Sequence, residues 1–345
     1  MKKRVFYIYV NLFLVVMLAF GSVVPVAEAS PPAQFVPKAE KKNVAVFLYD
    51  SFQIIDFTAP FEVFSYAFNV YAVSEKNQQF KATGGMLAVP NYTFDDFPKP
   101  DILVIPGGAA RKQADNPVVM KWLQETVKKV DIVLTVCTGD ELLAAAGLLD
   151  GLEVTGNAGG LAILHKLAPT ATILANKRVV DSGKIVTSGG LSAGIDGALY
   201  VVEKVYGNGM ARMIARAMEY DWHPESAYAA ALLADKYIVY PMGALLMGDL
   251  HGKLVDFADA TDLCEIQVSV PRSSSVDETF AGINSWLEAK AKWIRKKSQP
   301  SSHISGWQFV DDQGVTWDGL LRVEPNVDAK LLTVVLKVGR NLKLS

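Results

Sequence analysis

The chain has 345 residues, half of them hydrophobic, and its 34 Lys and Arg against 36 Asp and Glu leave a formal net charge of -2. That length supports one large domain or two modest ones, each with a real buried core. So even a charge balance excludes binding to nucleic acid, or to a strongly anionic partner, through overall charge.

Lys2, Lys3 and Arg4 precede an apolar run over 5–20, and Ala27-Glu28-Ala29 supplies the small-x-small spacing of a processing site. This predicts a signal peptide over 1–29, cleaved after Ala29. Uncleaved, residues 5–26 would instead make an anchor long enough to cross a bilayer, and that would be the expected membrane contact. Either way the body is expected outside the cytoplasm. Residues 30–42, SPPAQFVPKAEKK, hold three prolines and three lysines and read as a linker.

From residue 43 short apolar runs alternate with helical patterns. VAVFLY (44–49), DILVIP (101–106), DIVLTV (131–136) and KIVTSGG (184–190) are nearly continuous and are bounded by Gly, Pro or Asp. Strands apolar on both faces belong to a parallel sheet covered by helices. The intervening 58–68, 117–129, 139–147, 158–168 and 192–206 space their apolar residues by three and four, as amphipathic helices do. The pattern predicts an α/β domain over 43–224, a doubly wound sheet with right-handed connections.

The alternation stops after Asp221-Trp222-His223-Pro224. An Ala- and Leu-rich stretch over 225–262 leads to a strand over 264–270, a helix over 276–297, and strands near 304–310, 317–323 and 331–338. That order predicts a small α+β unit over 225–345. Trp286, Lys290, Lys292, Trp293, Arg295, Lys296 and Lys297 read as a solvated cationic helix end.

The chemistry concentrates at one corner, where IVLTV ends in Cys137, Thr138 and Gly139 and a helical pattern follows without a loop. Ligands of doubly wound sheets sit at the carboxyl ends of strands. A tight strand-to-helix turn lifts its side chain over the cleft, as a nucleophile elbow does. The helix start favours thiolate and Asp140 and Glu141 oppose it, so a modestly lowered thiol pKa is expected. Two cysteines in an exported chain also permit a disulfide, but one at a strand end facing a cleft seldom has its partner within the needed ~6 Å. Cys264, inside an apolar strand, is expected to be inert.

Two other segments should converge on the cysteine. Gly107 and Gly108 end a strand, and the N–H of Gly108 with that of Thr138 would stabilise developing negative charge. Asp56, in QIIDFTAPFEVFSYA (53–67), either caps a helix or serves the thiol as acid or base, its pKa raised by an apolar pocket.

These segments carry a family resemblance. VAVFLYDSFQIIDFTAPFEVF, DILVIPGG, VCTG, AAAGLLDG, IVTSGGLSAGIDGALYVVE and ARAMEYD occur in the order of the ThiJ/PfpI class of glutamine-amidotransferase-like proteins. Residues 43–222 resemble most its isonitrile hydratases and the ligand domains of AraC-type regulators. The resemblance implies a flavodoxin-like fold with a cysteine elbow and a working set of Asp56, Cys137 and Thr138. It also implies water addition to an isonitrile to give an N-substituted formamide, with sulfur attacking the terminal carbon and Asp56 moving protons.

Two departures bear on that reading. The family's usual CTGAF is CTGDE here, and where relatives commonly carry TTHW this chain has Thr155-Gly156-Asn157-Ala158. Asn157 thus holds the histidine position, beside Gly107 and Gly108 in the substrate-facing set, and a Cys-His-acid triad is not expected. His165, His223, His251 and His303 read as surface or packing residues with no metal-ligand spacing, so no metal is expected. TSGGLSAGIDG lacks the P-loop Lys and the dinucleotide fingerprint, so no cofactor is expected either. The expected partners are a small molecule and a second copy in a homodimer, with no nucleic acid.

The intact Asp, Cys and Thr set points to a cysteine-dependent, hydratase-like enzyme. The acidic pair and the lost histidine point to a binding or sensor protein using the same pocket. Aldehyde detoxification, a third activity in this superfamily, leans on the histidine that is absent.

Overall fold

A computed structural model describes residues 35, 41–226, 233–238, 242–296, 302–311 and 314–342. The expected signal peptide, nearly all of the linker and Lys297 lie outside the described residues.

The first sheet has seven strands, and four of its five inner strands are the apolar runs named above. In chain order the elements are β1 Asn43–Phe47, α1 Ile54–Ser65, β2 Asn69–Ser74, β3 Phe80–Lys81, β4 Leu87–Ala88, β5 Tyr92–Thr93 and β6 Ile102–Ile105. A 3-10 turn over Ala110–Asp115 leads to α2 Pro117–Lys129, β7 Ile132–Val136, α3 Gly139–Ala145, β8 Glu153–Val154, α4 Leu161–Leu167 and β9 Thr172–Ile173. Then come β10 Val179–Ser182, β11 Ile185–Ser188, α5 Ser192–Tyr206 and α6 Asn208–Ala217. The sheet order is β10-β11-β7-β6-β1-β2-β5, parallel except where β10 runs antiparallel to β11. β3–β4 and β8–β9 form two-stranded sheets beside it.

This is a flavodoxin-like α/β fold, as the sequence predicts. Val44, Ala45, Val46, Leu103, Val104, Val133 and Leu134 are fully buried, which is what helices on both faces require of a parallel strand. From β1 the chain passes to β2 on one side and returns to β6 on the other. The order therefore reverses between β1 and β6, and the crevice at their carboxyl ends is the place where this fold binds ligands.

The helix expected over 58–68 starts four residues earlier. Pro60 lies inside it, and Asp56 sits in its first turn with the side chain turned inward, not ahead of it as a cap. α2 and α5 match expectation. β2, β10 and α6 were not anticipated.

The β-rich C-terminal unit is a six-stranded antiparallel sheet: β12 Lys253–Asp259, β13 Leu263–Pro271, β14 Ile294–Arg295, β15 Ile304–Val310, β16 Thr316–Pro325 and β17 Leu331–Gly339. Its order is β12-β13-β17-β16-β15-β14. α7, Val276–Trp286, opens with a capping box of Ser275 and Glu278 and buries Val276, Phe280 and Ile283.

The helix expected over 276–297 is shorter. A wider turn over Leu287–Ala291 ends at Lys292, whose φ of 57° breaks the helix before β14. The expected solvated cationic end is therefore dispersed. Trp293 is buried and stacked on Phe309, Arg295 lies over the Phe280 and Trp307 rings, and Lys296 pairs with Asp318 at 2.6 Å.

The buried side chains form two separate clusters. One ends in sequence at Trp222, and the other begins at Ala234. Among the described residues no helix is long and apolar enough to cross a membrane.

Candidate active site

Four strand ends bring their loops to one point. β7 ends in Cys137, whose φ of 57° is the strained, left-handed conformation of an elbow residue. Its N–H is held by the carbonyls of Ser188 and Gly189 at 3.2 and 3.3 Å, which ties the elbow to the end of β11. The thiol is partly exposed and no disulfide joins it to the buried Cys264, so the disulfide alternative does not hold.

Asp56 comes from the other side of the reversal, after β1, and is fully buried. Its Oδ1 accepts the N–H of Leu191 at 2.8 Å, while Oδ2 makes no well-formed hydrogen bond. Cys137 and the Gly107 N–H still face the carboxylate closely enough to lower its pKa, but burial outweighs them and Leu191, pushing it up to about 6. Gly107 makes this proximity possible: a Cβ on it would lie 2.6 Å from both Asp56 Oδ2 and Cys137 Cβ.

The thiol pKa moves opposite to expectation. Burial raises it well above the ordinary range and the charge of Asp56 raises it further. The Thr138 N–H opposes them, and Asp140 adds a smaller upward push. The helix start does not prevail, because a dry, acidic neighbourhood penalises the thiolate more than one donor stabilises it.

Thr138 and Gly108 are also placed differently from expectation. The Gly108 N–H donates to Thr138 Oγ1 at 3.0 Å, and that hydroxyl lies 3.0 Å from the Gly108 carbonyl. Gly108 is therefore not an oxyanion donor, since its N–H is spent in clamping the β6 loop to the elbow. The Gly107 N–H faces Asp56, which leaves the Thr138 N–H, directed at the Cys137 sulfur, as the member of the expected pair placed for that role.

Asn157 is half-buried near the thiol, across Gly190. A Cβ on Gly190 would be 2.8 Å from Cys137 Sγ and 3.8 Å from Asn157 Oδ1. Asp140 and Glu141, expected in the first turn of α3, lie there and are buried at 2% and 5% exposure. A Cβ on Gly156 would clash with Asp140 Oδ2. Burial, then Glu141, raises the Asp140 pKa well above the carboxylate range. Burial raises that of Glu141 against the pull of Arg111.

Gly190, Leu191 and Tyr49 belong to the site but were not singled out from sequence. Leu191, at φ 55°, aims its N–H at Asp56, and the Tyr49 hydroxyl lies 2.7 Å from the carbonyls of both Pro106 and Gly107. The paired glycines after β11, just ahead of a helix, were the available signal. His165, His223 and His251 are exposed and His303 is half-buried, all outside this cluster. Among the described residues no group of His, Cys, Asp or Glu has the arrangement to hold a metal.

A cysteine on a strained strand-to-helix elbow, beside a buried carboxyl at the topological reversal of a flavodoxin-like sheet, defines the class. The chain belongs to the DJ-1/PfpI family, whose pattern matches residues 42–204. It is 30% identical over 182 residues to the isonitrile hydratase of Pseudomonas putida, spanning 52% of this chain and 78% of that enzyme. It is 23% identical over 203 residues to the HTH-type transcriptional regulator GbdR of Pseudomonas aeruginosa, covering 56% of this chain and 54% of the regulator. Among solved structures it resembles a ThiJ/PfpI family protein from Pseudomonas syringae, with a TM-score of 0.50 and 23% identity, over 59% of this chain and 86% of that one.

Proposed function

We propose that the protein is an exported, cysteine-dependent enzyme that adds water to a small substrate of the isonitrile type. The observation that carries this reading is Asp56: a buried carboxyl titrating near 6, anchored through Oδ1 and open at Oδ2 beside the Cys137 thiol. Such a group takes and returns a proton near neutrality, and it offsets the reluctance of this thiol to ionise alone.

In the proposed cycle Asp56 accepts the thiol proton as sulfur bonds to the terminal carbon of R–NC, then delivers it to that carbon, leaving R–N=CH–S on Cys137. Water adds to the same carbon and its proton passes to nitrogen. The C–S bond then breaks, the hydroxyl proton returns through Asp56 to sulfur, and R–NH–CHO departs. Thr138 donates its N–H toward the developing charge, and its hydroxyl holds the Gly108 loop. This reading requires no cofactor, metal or nucleic acid.

Conversion of a simple alkyl isonitrile to the N-alkyl formamide, followed by proton NMR, tests it. Cys137→Ser and Asp56→Asn should each lower turnover by orders of magnitude. Binding without Cys137-dependent turnover of isonitriles would favour the sensor reading, which the raised thiol pKa and the regulator among the relatives support. Export follows from the leader alone, and an intact mass of cell-exported protein beginning near Ser30 is the expected result. A chain retaining Met1 would make the segment an anchor.

A further inference from the structure

β12 forms one edge of the six-stranded sheet, and all seven of its residues are exposed. Leu254 and Val255 are each 55% exposed and Phe257 42%. An edge strand presents unpaired N–H and C=O groups, and natural sheets usually shield such edges with charge, proline or cover. Here the edge carries three large apolar side chains.

Pairing with β13 fixes the faces. Leu254 stands opposite Val268 and Phe257 opposite Ile266, both buried, so these two extend the core-facing layer of the sheet. Lys253 stands opposite Ser269, Asp256 opposite Gln267 and Ala258 opposite Glu265, on the other face. The register shift between Leu254 and Asp256 leaves Val255 as the extra residue of a bulge.

We propose that β12 pairs antiparallel with β12 of a second copy, about a twofold axis between Val255 and Asp256. In that register Leu254 of each copy faces Phe257 of the other on the core-facing side, and Lys253 faces Ala258 on the opposite side. Both bulges fall together at the axis. Lys253 then stands diagonal to Asp256 of the other copy, at the roughly 7–8 Å spacing that a long side chain bridges. Asp256 Oδ1 accepts its own neighbour's N–H, from Phe257, at 2.9 Å, and a carboxylate keeps acceptor sites beyond one bond. Slipping the register by one residue would set Leu254 against Asp256 or Ala258, putting a core-facing side chain against one from the polar face. The strand is therefore self-complementary in shape of pattern and in charge. One short strand per copy is small beside the ~800 Å² per partner of a standard interface, so the dimer depends on concentration.

Sedimentation velocity of the full chain as its host processes it, from sub-micromolar to high-micromolar concentration, tests this. Wild type should pass from monomer to dimer. Lys253→Glu and Asp256→Lys should each weaken association at least tenfold, the double variant should recover most of it, and Phe257→Glu should abolish it. Circular dichroism should be unchanged throughout, because all three positions are exposed. Amide exchange over 253–259 should slow as concentration rises. A monomer at every concentration, including one whose 253–259 amides are protected by another part of the chain, overturns the proposal. So does a dimer indifferent to these substitutions, or one that the double variant fails to restore.

Discussion

Asp56 is held in a place that costs the fold stability. Its pKa of about 6 lies above the ordinary 3.8, so the native state binds more protons than the unfolded chain between those values. Stability therefore falls as pH rises through that window and stays lower above it, the reverse of a salt-bridged carboxylate. Two pKa units correspond to roughly 3 kcal/mol at most. Asp56→Asn keeps an acceptor for Leu191 and removes the charge, so it should be more stable than wild type at pH 7.5, by up to that amount less whatever the Gly107 N–H loses. The difference should vanish near pH 3.5. Denaturant titrations at the two pH values check this, and equal stability at pH 7.5 would mean that the carboxyl is not desolvated.

The thiol follows from the same group. Because burial and Asp56 both raise its pKa, Cys137 should react slowly with iodoacetamide at neutral pH, its rate still climbing past pH 9. Asp56→Asn removes one of those causes, so labelling at pH 8–9 should quicken severalfold even as isonitrile turnover is lost. That opposed response separates a proton carrier from a group that merely lowers the thiol pKa. Cys264, fully buried in β13, should not label in the native protein.

At the scale of elements, the elbow works because the loop after β11 lies against it with no side chain between. Gly190→Ala would bring a methyl group 2.8 Å from Cys137 Sγ, a contact the sulfur can relieve only by rotating away. The expected result is a fold little changed in melting temperature with kcat/KM lowered about a hundredfold, as a displacement of about 1 Å at a reacting atom does. A normal rate would show that the sulfur works from another rotamer. The strands and helices that frame this loop were legible because burial on both faces leaves uninterrupted apolar runs, as in β6 and β7, and because α2 and α5 keep the helical spacing. The Asp56, Cys137 and Thr138 set was legible through family motifs and turn chemistry. What the sequence concealed depends on contacts distant in the chain. The Leu191 N–H meets a carboxyl 135 residues earlier, and Thr138 takes the Gly108 N–H that a local reading leaves open. Short edge strands such as β10 and β12 escaped because a strand exposed on one or both faces has no apolar run to mark it.

For the whole molecule, the described residues from 35 onward form one compact unit, while their buried side chains fall into two cores. The cores bear more directly on stability, since a domain persists on its own when its apolar surface closes on itself. Trp222 is the last buried member of the first core, and its ring lies under Arg212, 5.9 Å from the centroid, so a boundary before 222 would open the cluster. Pro224 follows two residues later, and the second core starts at Ala234. A chain of residues 41–226 should therefore be soluble and unfold in a single cooperative transition, with the full chain showing a second transition for the sheet of β12 to β17. Calorimetry of the two chains reads this directly. A 41–226 chain that binds hydrophobic dye and melts without cooperativity would mean that the β-rich unit completes the first core, and the boundary at 224 would have to be abandoned.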